Sequence, residues 1–494
     1  MGCQPHRTSW PISPAVDRIE GFILLNTNYN SIHFSFVRRS AQKKKIILSC
    51  AVALIVLPYD APSQNGMGGS TGGHGAVDPG VRTGQPAAGQ PIAGLTPGEL
   101  DFFRRSGEPI FAEVEDVPGG LGPRFNLDSC QGCHAYPAMG GSSPAQNPQV
   151  SQASIMAPGN TIPEFLSLNG PIREVRFVKN SDGTPDGGVH SLFTISGRAD
   201  RPPNCAIEQP DYSNTSNLTF RIPTPIYGAG LIEAISDATI RTNLAADPAG
   251  QKARNGIRGH INVGLIGGTV NTNPNDGGIT RFGWKAQNKS LTIFGGEAYN
   301  VEMGVTNEVF PNEREDDPNC ATNATPESDS HFLVSSTGAS DVAAFRAFMR
   351  FLAPPTPACT GSGCSPSIQN GHALAARIGC LTCHTETLVT GFSSTAALSR
   401  KPANLFSDLV VHHMGSGLAD GITQGVAGPD EFRSAPLWGL GQRVYFLHDG
   451  RTDNLMQAIQ AHQSEGSVAN QVISNFNSLS ASQQQDILRF LRSL

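Results

Sequence analysis

The sequence contains two copies of one short pattern, CQGCH at residues 130–134 and CLTCH at residues 380–384. Each copy has two cysteines three positions apart and a histidine directly after the second. Two thiols on one helical turn reach the two vinyl groups of a single haem, and the adjacent histidine then reaches the iron. The pattern therefore predicts two covalent haem c groups, attached at Cys130, Cys133, Cys380 and Cys383, with His134 and His384 as proximal iron ligands.

Two other kinds of site also use a Cys-x-x-Cys pair. A structural zinc site needs four convergent ligands, commonly from paired Cys-x-x-Cys knuckles. A thioredoxin-like redox site needs no histidine directly after the second cysteine. Both copies in this chain have that histidine, so covalent haem is favoured over both alternatives.

The N-terminal region has the features of a targeting segment. Three lysines at residues 43–45 precede an apolar run at residues 46–57. The run is shorter than the roughly 20 residues that cross a bilayer, and a basic segment before a short apolar one is typical of a signal peptide. Residues 1–60 are therefore predicted to be a leader, with the true start near Val37 and a buried core helix as the alternative. The mature protein is expected to be periplasmic or otherwise exported.

The rest of the chain is predicted to hold one linker and two haem domains. Residues 61–92 are rich in Gly, Pro and Ser, which is typical of a linker. Two similar helical segments, MRFLAP and LRFLRSL, end the halves that follow and indicate an internal duplication. We expect an N-terminal haem domain at residues 93–355 and a C-terminal one at residues 356–494. The 55 Gly and 36 Pro predict long loops, and the helical periods at residues 341–352 and 483–494 predict a mainly α-helical fold with a few short strands.

Net charge excludes one broad class of function. The chain has 35 Lys and Arg against 41 Asp and Glu, a net charge of -6. A general nucleic-acid-binding protein needs clustered positive charge to neutralise phosphates, so no nucleic-acid partner is expected.

The cysteines outside the two motifs fall into two groups. Cys3 and Cys50 lie in the predicted leader. Cys359 and Cys364 flank a Thr-Gly-Ser-Gly turn and are candidates for a small disulfide, which an exported protein retains. The remaining pair would then be Cys205 with Cys320.

Three longer segments resemble the bacterial dihaem cytochrome c peroxidase superfamily, most closely its dihaem oxidoreductase branch, often labelled thiol oxidoreductase. They lie at residues 282–316, 406–420 and 435–466, and the resemblance extends over roughly residues 93–494. It implies two cytochrome-c-like domains whose haems face each other across an interface. One haem would take electrons from a donor such as a small cytochrome c or a cupredoxin, and the other would meet a peroxide-type oxidant.

The resemblance also implies a second ligand for the C-terminal haem. His462 stands where related peroxidases usually have Met, and a bis-histidine haem has a lower reduction potential than a His/Met haem. A surface histidine on an amphipathic helix is the alternative. The rival ligands nearby are His412, His413, Met414 and His448.

For the N-terminal haem, the family order places a removable distal histidine between the first motif and the segment RIPTP at residues 221–225. His190 is the histidine in that interval, and His260 is the runner-up. The alternative is an open iron site, with His190 serving only the structure.

Two residues resemble the catalytic residues of the peroxidases. Trp284 corresponds to the tryptophan between the two haems, with Trp438 as a second candidate and a packed core tryptophan as the alternative. Glu302 corresponds to the acid/base that moves a proton between the peroxide oxygens. Its competitors are Glu297 and Glu308, and an ordinary solvated glutamate is the alternative.

The chain departs from the peroxidases near these residues. Phe294 stands where they have a glutamine ten residues after the tryptophan, and the spacing from Trp284 to Glu302 is shorter by two. These departures argue against efficient peroxidase action. A non-catalytic dihaem electron carrier and a thiol oxidoreductase therefore remain as alternatives, the latter on the family label alone.

An acidic run at residues 313–317 is a candidate calcium site, because related proteins hold calcium between their domains. A solvated charged surface is the alternative.

Overall fold

The computed structural model describes residues 75–156, 162–184, 200–266, 269–271, 278–315, 317–328 and 339–494. All of these residues lie in one compact unit, Thr71–Leu494. The predicted leader and the first part of the predicted linker lie outside the described residues. The predicted division at residue 355 stays a prediction.

Short helices and long loops make up most of the described chain. The helices are α1 (Pro97–Phe102), α2 (Glu108–Ala112), α3 (Cys130–Cys133), α4 (Pro148–Met156), α5 (Ala229–Ala234), α6 (Asp237–Ala245), α7 (Gln251–Asn255), α8 (Leu291–Met303), α9 (Asp341–Phe351), α10 (Pro366–Ile378), α11 (Cys380–Cys383), α12 (Leu455–Gln460), α13 (Asn470–Asn477) and α14 (Ala481–Ser493). A π-helical turn, Phe103–Gly107, joins α1 to α2. The predicted mainly helical fold is confirmed.

The strands are short and pair only in twos among the described residues. They are β1 (Glu174–Phe177), β2 (Leu218–Arg221), β3 (Asn262–Val263), β4 (Leu265–Ile266), β5 (Thr269–Val270), β6 (Ile279–Thr280), β7 (Leu388–Val389), β8 (Pro402–Ala403), β9 (Val411–His413) and β10 (Glu431–Arg433). The antiparallel pairs are β1–β2, β3–β6, β4–β5, β7–β8 and β9–β10. These ribbons connect helices and form no extended sheet.

Local sequence signals set the ends of the main helices. Thr96 and Glu99 form a capping box at the start of α1, and Ser480 and Gln483 form another at the start of α14. Each cap satisfies backbone N–H groups that the first helical turn leaves unpaired, which stabilises a helix by about 1 kcal/mol. Helix α9 ends at Phe351, before the two prolines at residues 354 and 355, as the sequence predicts.

Two hydrophobic cores lie beside the two Cys-x-x-Cys-His motifs. In the first, the ring of Phe348 on α9 lies 5.4 Å from that of Phe103 and 4.3 Å from that of Phe111. In the second, α10 and α14 pack closely, because Gly371 has no side chain to separate them. A Cβ at Gly371 would lie 2.0 Å from the carbonyl oxygen of Asp486. Each core is therefore a packed region beside one motif.

The first described residues pack against the C-terminal end of the chain. Asp78 forms a 2.7 Å ion pair with Arg492 on α14, and both side chains are buried. The backbone N–H of Arg82 donates to the carbonyl of Gly441 at 2.7 Å. The described end of the predicted linker is therefore held by specific contacts.

Both candidate disulfides are present. Cys205 is bonded to Cys320, and Cys359 is bonded to Cys364. The free cysteines among the described residues are the four of the two motifs.

Candidate functional site

The first motif opens into a cavity of about 130 Å³, called cavity 1 here, which is lined by Cys130, Cys133 and His134. Helix α3 places both thiols on one turn, and a Cβ at Gly132 would lie 2.3 Å from a side-chain methyl of Leu127. The Nδ1 of His134 lies 3.0 Å from the carbonyl oxygen of Gly141. That bond leaves Nε2 available as a ligand.

The second motif opens into a larger cavity of about 210 Å³, cavity 2, lined by Cys380, Cys383 and His384. Helix α11 starts directly after Gly379, whose φ of +107° is a conformation that favours glycine. The Nδ1 of His384 lies 3.1 Å from the carbonyl oxygen of Phe406. Both motif histidines are therefore oriented in the same way.

The ionisation of these groups disfavours a redox site. Desolvation by the surrounding protein lowers the pKa of His134 to about 4, so its imidazole is neutral at pH 7. Desolvation also raises the pKa of the Cys380 thiol to about 12, whereas a redox nucleophile needs a thiolate. The described part of the chain holds no group of three or more His, Cys, Asp or Glu arranged to bind a metal.

His462 lies in the wall of cavity 2 with His384. Its Nδ1 lies 2.8 Å from the carbonyl oxygen of Ala458, in the helix that precedes it, which leaves Nε2 available. Desolvation, and then the charge of His462, lower the pKa of His384 to about 4, as expected for two imidazoles that share one cavity. The fold brings together the two histidines that the resemblance pairs.

The rivals of His462 are placed differently. His412 has both ring nitrogens engaged, with the Arg258 carbonyl at 2.9 Å and the Asp408 carboxylate at 3.0 Å. His413 is exposed and pairs with Asp430. His412, Met414 and His448 all line cavity 2. Because both ring nitrogens of His412 are engaged, Met414 and His448 are the remaining alternatives.

Cavity 1 differs from cavity 2 in the histidines of its described wall. His190 lies outside the described residues, so its prediction is untested. The runner-up, His260, bonds to the Glu431 carboxylate at 2.6 Å and does not line the cavity. Of the described residues in the wall of cavity 1, His134 is the only histidine.

The wall of cavity 1 contains carboxylates, together with the side chains of Arg176 and Arg221. Glu302, near the end of α8, lines the cavity together with Glu297 and Glu174. Desolvation, followed by the charges of Glu174 and Glu297, raises the pKa of Glu302 to about 8. Glu308 does not line the cavity and accepts a hydrogen bond from Ser340 at 2.6 Å. Of the three glutamates considered from sequence, Glu302 has the environment of an acid/base group.

Sequence reasoning missed several residues of this wall. Glu174 and Arg176 come from β1, and Gln287 comes from the loop after Trp284. Nothing in the sequence near β1 marks these side chains. Gln287 has a weak signal, because it is a glutamine close to Trp284 in a wall where Phe294 replaces the glutamine of the peroxidases.

Trp284 lines both cavities. It is 9% exposed, and its indole N–H donates to the carbonyl of Ile222 at 3.0 Å. Trp438 is also buried, but it lines only a smaller cavity of about 30 Å³ between the two. The fold therefore gives Trp284, rather than Trp438, contact with both sites.

Two carboxylates of the acidic run have protein partners where the run is described. Glu315 pairs with Arg124 at 3.0 Å, and the Glu313 carboxylate accepts backbone N–H groups from Arg314 and Glu315. Asp316 lies outside the described residues. The calcium prediction stays untested.

Two cavities that each join a pair of thiols to an imidazole are the arrangement expected of a dihaem protein. Residues 185–494 match the family described as "Di-haem oxidoreductase, putative peroxidase". The match covers more than half of the chain, and the chain belongs to this family. Its members are di-haem oxidoreductases, so haem is the cofactor of the class.

Several solved structures show weaker similarity. Hydrazine synthase from Kuenenia stuttgartiensis is 14% identical, with a TM-score of 0.23 over 40% of this chain and 60% of that one. The diheme peroxidase BthA from Burkholderia thailandensis is 17% identical, with a TM-score of 0.27 over 43% and 65%. A MauG-like protein associated with microbial copper homeostasis is 17% identical, with a TM-score of 0.27 over 60% and 95%. The chain thus spans less than two thirds of the first two proteins.

No curated protein matches this sequence. Within the described ranges, none of the helices has the length and apolar character needed to cross a membrane.

Proposed function

We propose that this protein is an exported dihaem c-type oxidoreductase that reduces a peroxide-type oxidant. Electrons from an external donor, such as a small cytochrome c or a cupredoxin, would enter at the C-terminal haem. The oxidant would react at the N-terminal haem. Membership of the di-haem oxidoreductase family supports this class of activity, and the walls of the two cavities support the assignment of the two roles.

The residues that would hold the haems are those of the two motifs. Cys130 and Cys133 would form thioethers to one haem, and Cys380 and Cys383 to the other, as their sequence pattern predicts. When bound, each haem supplies one-electron redox chemistry at its iron. His134 and His384 each present a neutral Nε2, because Nδ1 is held by a backbone carbonyl.

One contrast carries the assignment. Cavity 1 has the carboxyl group of Glu302, whereas cavity 2 has His462 beside His384. A haem with two histidine ligands has no free position for an oxidant, whereas electron transfer does not need one. Cavity 1 is therefore the proposed reaction site and cavity 2 the proposed electron-entry site.

Glu302 would manage the protons of the reaction. Hydrogen peroxide takes up two electrons and two protons to give two waters. An ionised Glu302 can accept the proton from one peroxide oxygen and return it to the other, which makes that oxygen a better leaving group as the O–O bond breaks. The raised pKa of about 8 lets the group hold and release this proton near neutral pH.

Trp284 would connect the two sites. Its indole ring lines both cavities, so an electron that moves from one to the other meets an aromatic side chain rather than solvent. Four further proposals rest on sequence features alone. Two concern the organisation of the chain: the signal peptide, and the division into two haem domains near residue 355. The other two concern ligands: His190 as a removable haem ligand, and calcium at residues 313–317.

Optical and EPR titration of the full-length holoprotein with hydrogen peroxide tests this function. The expected result is a five-coordinate, high-spin haem in the oxidised or half-reduced protein, whose bands change on addition of peroxide. If both haems stay low-spin and unchanged by peroxide in both redox states, the protein is an electron carrier and the proposal fails. Activity toward thiols alone would instead favour the thiol oxidoreductase alternative.

A further inference from the structure

Two arginine side chains line cavity 2 without a carboxylate partner. Arg433, at the end of β10, is 6% exposed, and its Nε donates to the Gly283 carbonyl at 3.1 Å. Arg443 follows the short helical turn Leu440–Gln442 and lines the same cavity. Within the described ranges, neither guanidinium group forms an ion pair.

The other buried arginines of the described residues are paired. Arg221 pairs with Asp420, Arg281 with Asp237 and Arg492 with Asp78. This is the usual pattern, because a charge removed from water is costly unless an opposite charge or several hydrogen bonds compensate it. Arg433 is the departure from this pattern, and the half-buried Arg443 shares its cavity.

Both groups remain charged at neutral pH and lie near each other. Desolvation lowers the pKa of Arg443 to about 10. Desolvation and the charge of Arg443 lower the pKa of Arg433 to about 10 as well. Cavity 2 therefore contains two neighbouring positive charges, and its described wall offers no carboxylate to them.

A haem brings the missing anions, since each haem carries two propionate carboxylates. We propose that Arg433 and Arg443 bind the propionates of the C-terminal haem. This inference rests on the proposed function, because it needs a haem in cavity 2. Guanidinium groups are suited to the task, since their planar fork of N–H donors matches a carboxylate.

The position of the two arginines also orients that haem. The backbone N–H of Arg433 donates to the carbonyl of Trp284 at 2.9 Å, and both arginines line the small cavity that holds Trp284 and Trp438. The propionate edge of the C-terminal haem would thus face Trp284 and the N-terminal site. Two positive charges at this edge would stabilise the reduced haem and so raise its reduction potential. Two histidine ligands by themselves would set that potential low.

Substitution in the full-length holoprotein tests the proposal. Arg433→Gln and Arg443→Gln remove one charge each, while Arg433→Lys and Arg443→Lys retain it. The measurement is the reduction potential of each haem by spectroelectrochemical titration. Each Gln variant should lower the equilibrium constant for reduction of the C-terminal haem about tenfold, or 59 mV for one electron, and each Lys variant less than threefold.

The control is Arg281→Gln, which removes a buried arginine that is paired with Asp237 and lines neither haem cavity. It should leave the potential of the C-terminal haem unchanged. Shifts below threefold in both Gln variants, with two haems retained, would overturn the propionate assignment alone. Absence of haem from cavity 2 of the unmodified protein would instead overturn the proposed function.

Discussion

The two cavities contain the same three motif side chains and differ in the rest of their walls. In both, one helical turn presents two thiols, and a histidine follows directly. The Nδ1 of this histidine is held by a backbone carbonyl, that of Gly141 in cavity 1 and that of Phe406 in cavity 2. Elsewhere in their walls, cavity 1 has Glu302 on α8, whereas cavity 2 has His462 after α12. The same local pattern can thus support two chemistries, because the facing wall comes from a different part of the chain.

Removing the thiols of one motif should have the largest effect on this comparison. The double variant Cys130→Ala/Cys133→Ala should lose the N-terminal haem, and Cys380→Ala/Cys383→Ala the C-terminal one, because each pair would form the covalent bonds of one haem. Haem per protein, measured by pyridine haemochrome and mass spectrometry, should fall from two to one. Cys359→Ser/Cys364→Ser, which opens a disulfide, should leave it at two. A full haem count in either Ala variant would contradict the covalent assignment.

Substituting His462 should make the two sites more alike. His462→Ala removes the proposed sixth ligand, so the C-terminal haem should change from low-spin to high-spin while the N-terminal signal stays the same. EPR and optical spectra of the oxidised protein measure this change. His448→Ala is the matched control, since His448 also lines cavity 2. A change in the control but not in His462→Ala would reassign the ligand to His448.

Glu302→Gln should remove the proton-transfer step of cavity 1. A positioned acid/base group contributes about 10²–10⁴-fold to a rate, so the rate constant with peroxide should fall by about 10²–10³-fold. Stopped-flow spectroscopy of the holoprotein measures it. Glu297→Gln, in the same wall, should reduce the rate less than tenfold. Equal losses in both variants would assign the chemistry to the carboxylate pair instead.

The pH dependence of the peroxide reaction follows from the raised pKa of Glu302. The base form is ionised, and its pKa is about 8. Below this pH the protonated fraction dominates, so the rate should fall about tenfold per pH unit; above it the rate should level off. Rate constants between pH 5 and pH 9 test this, and Glu302→Gln should show a flat profile. A rate that rises on acidification would contradict the base role.

The smallest effect is expected at the residue that both cavities share. Trp284→Phe keeps an aromatic ring but leaves the Ile222 carbonyl without its indole donor. Electron transfer between the haems should slow severalfold, as followed after rapid reduction of the C-terminal haem. Trp438→Phe, which alters neither haem cavity, should leave the rate unchanged. Equal slowing in both variants would indicate a general packing effect.

Several local features of the fold can be predicted from the sequence, because the residues that determine each one lie close together in the chain. The capping boxes of α1 and α14 and the turn between Cys359 and Cys364 each lie within a few residues, so local geometry decides them. The two Cys-x-x-Cys-His motifs are local in the same sense. The domain limits and the role of His190 remain predictions.

The other residues that line the two cavities could not be predicted from the sequence in the same way. Before the fold is known, His462, His412 and His448 are all plausible ligands. The ring nitrogens of His412 are engaged by the carbonyl oxygen of Arg258, which is distant in the chain, and by the carboxylate of Asp408, which is close in the chain. His462 is left available. Burial of Glu302 among other carboxylates likewise depends on β1, which is more than 100 residues away in sequence.

The sequence by itself determined the number of predicted haems and the proximal side of each, because five consecutive residues contain all the atoms required. Only the tertiary structure decided what faces each motif: carboxylates in cavity 1, an imidazole and two unpaired guanidinium groups in cavity 2, and Trp284 in both walls. The physical reason is that desolvation and charge pairing depend on all neighbours in space, and those neighbours come from segments far apart in the chain.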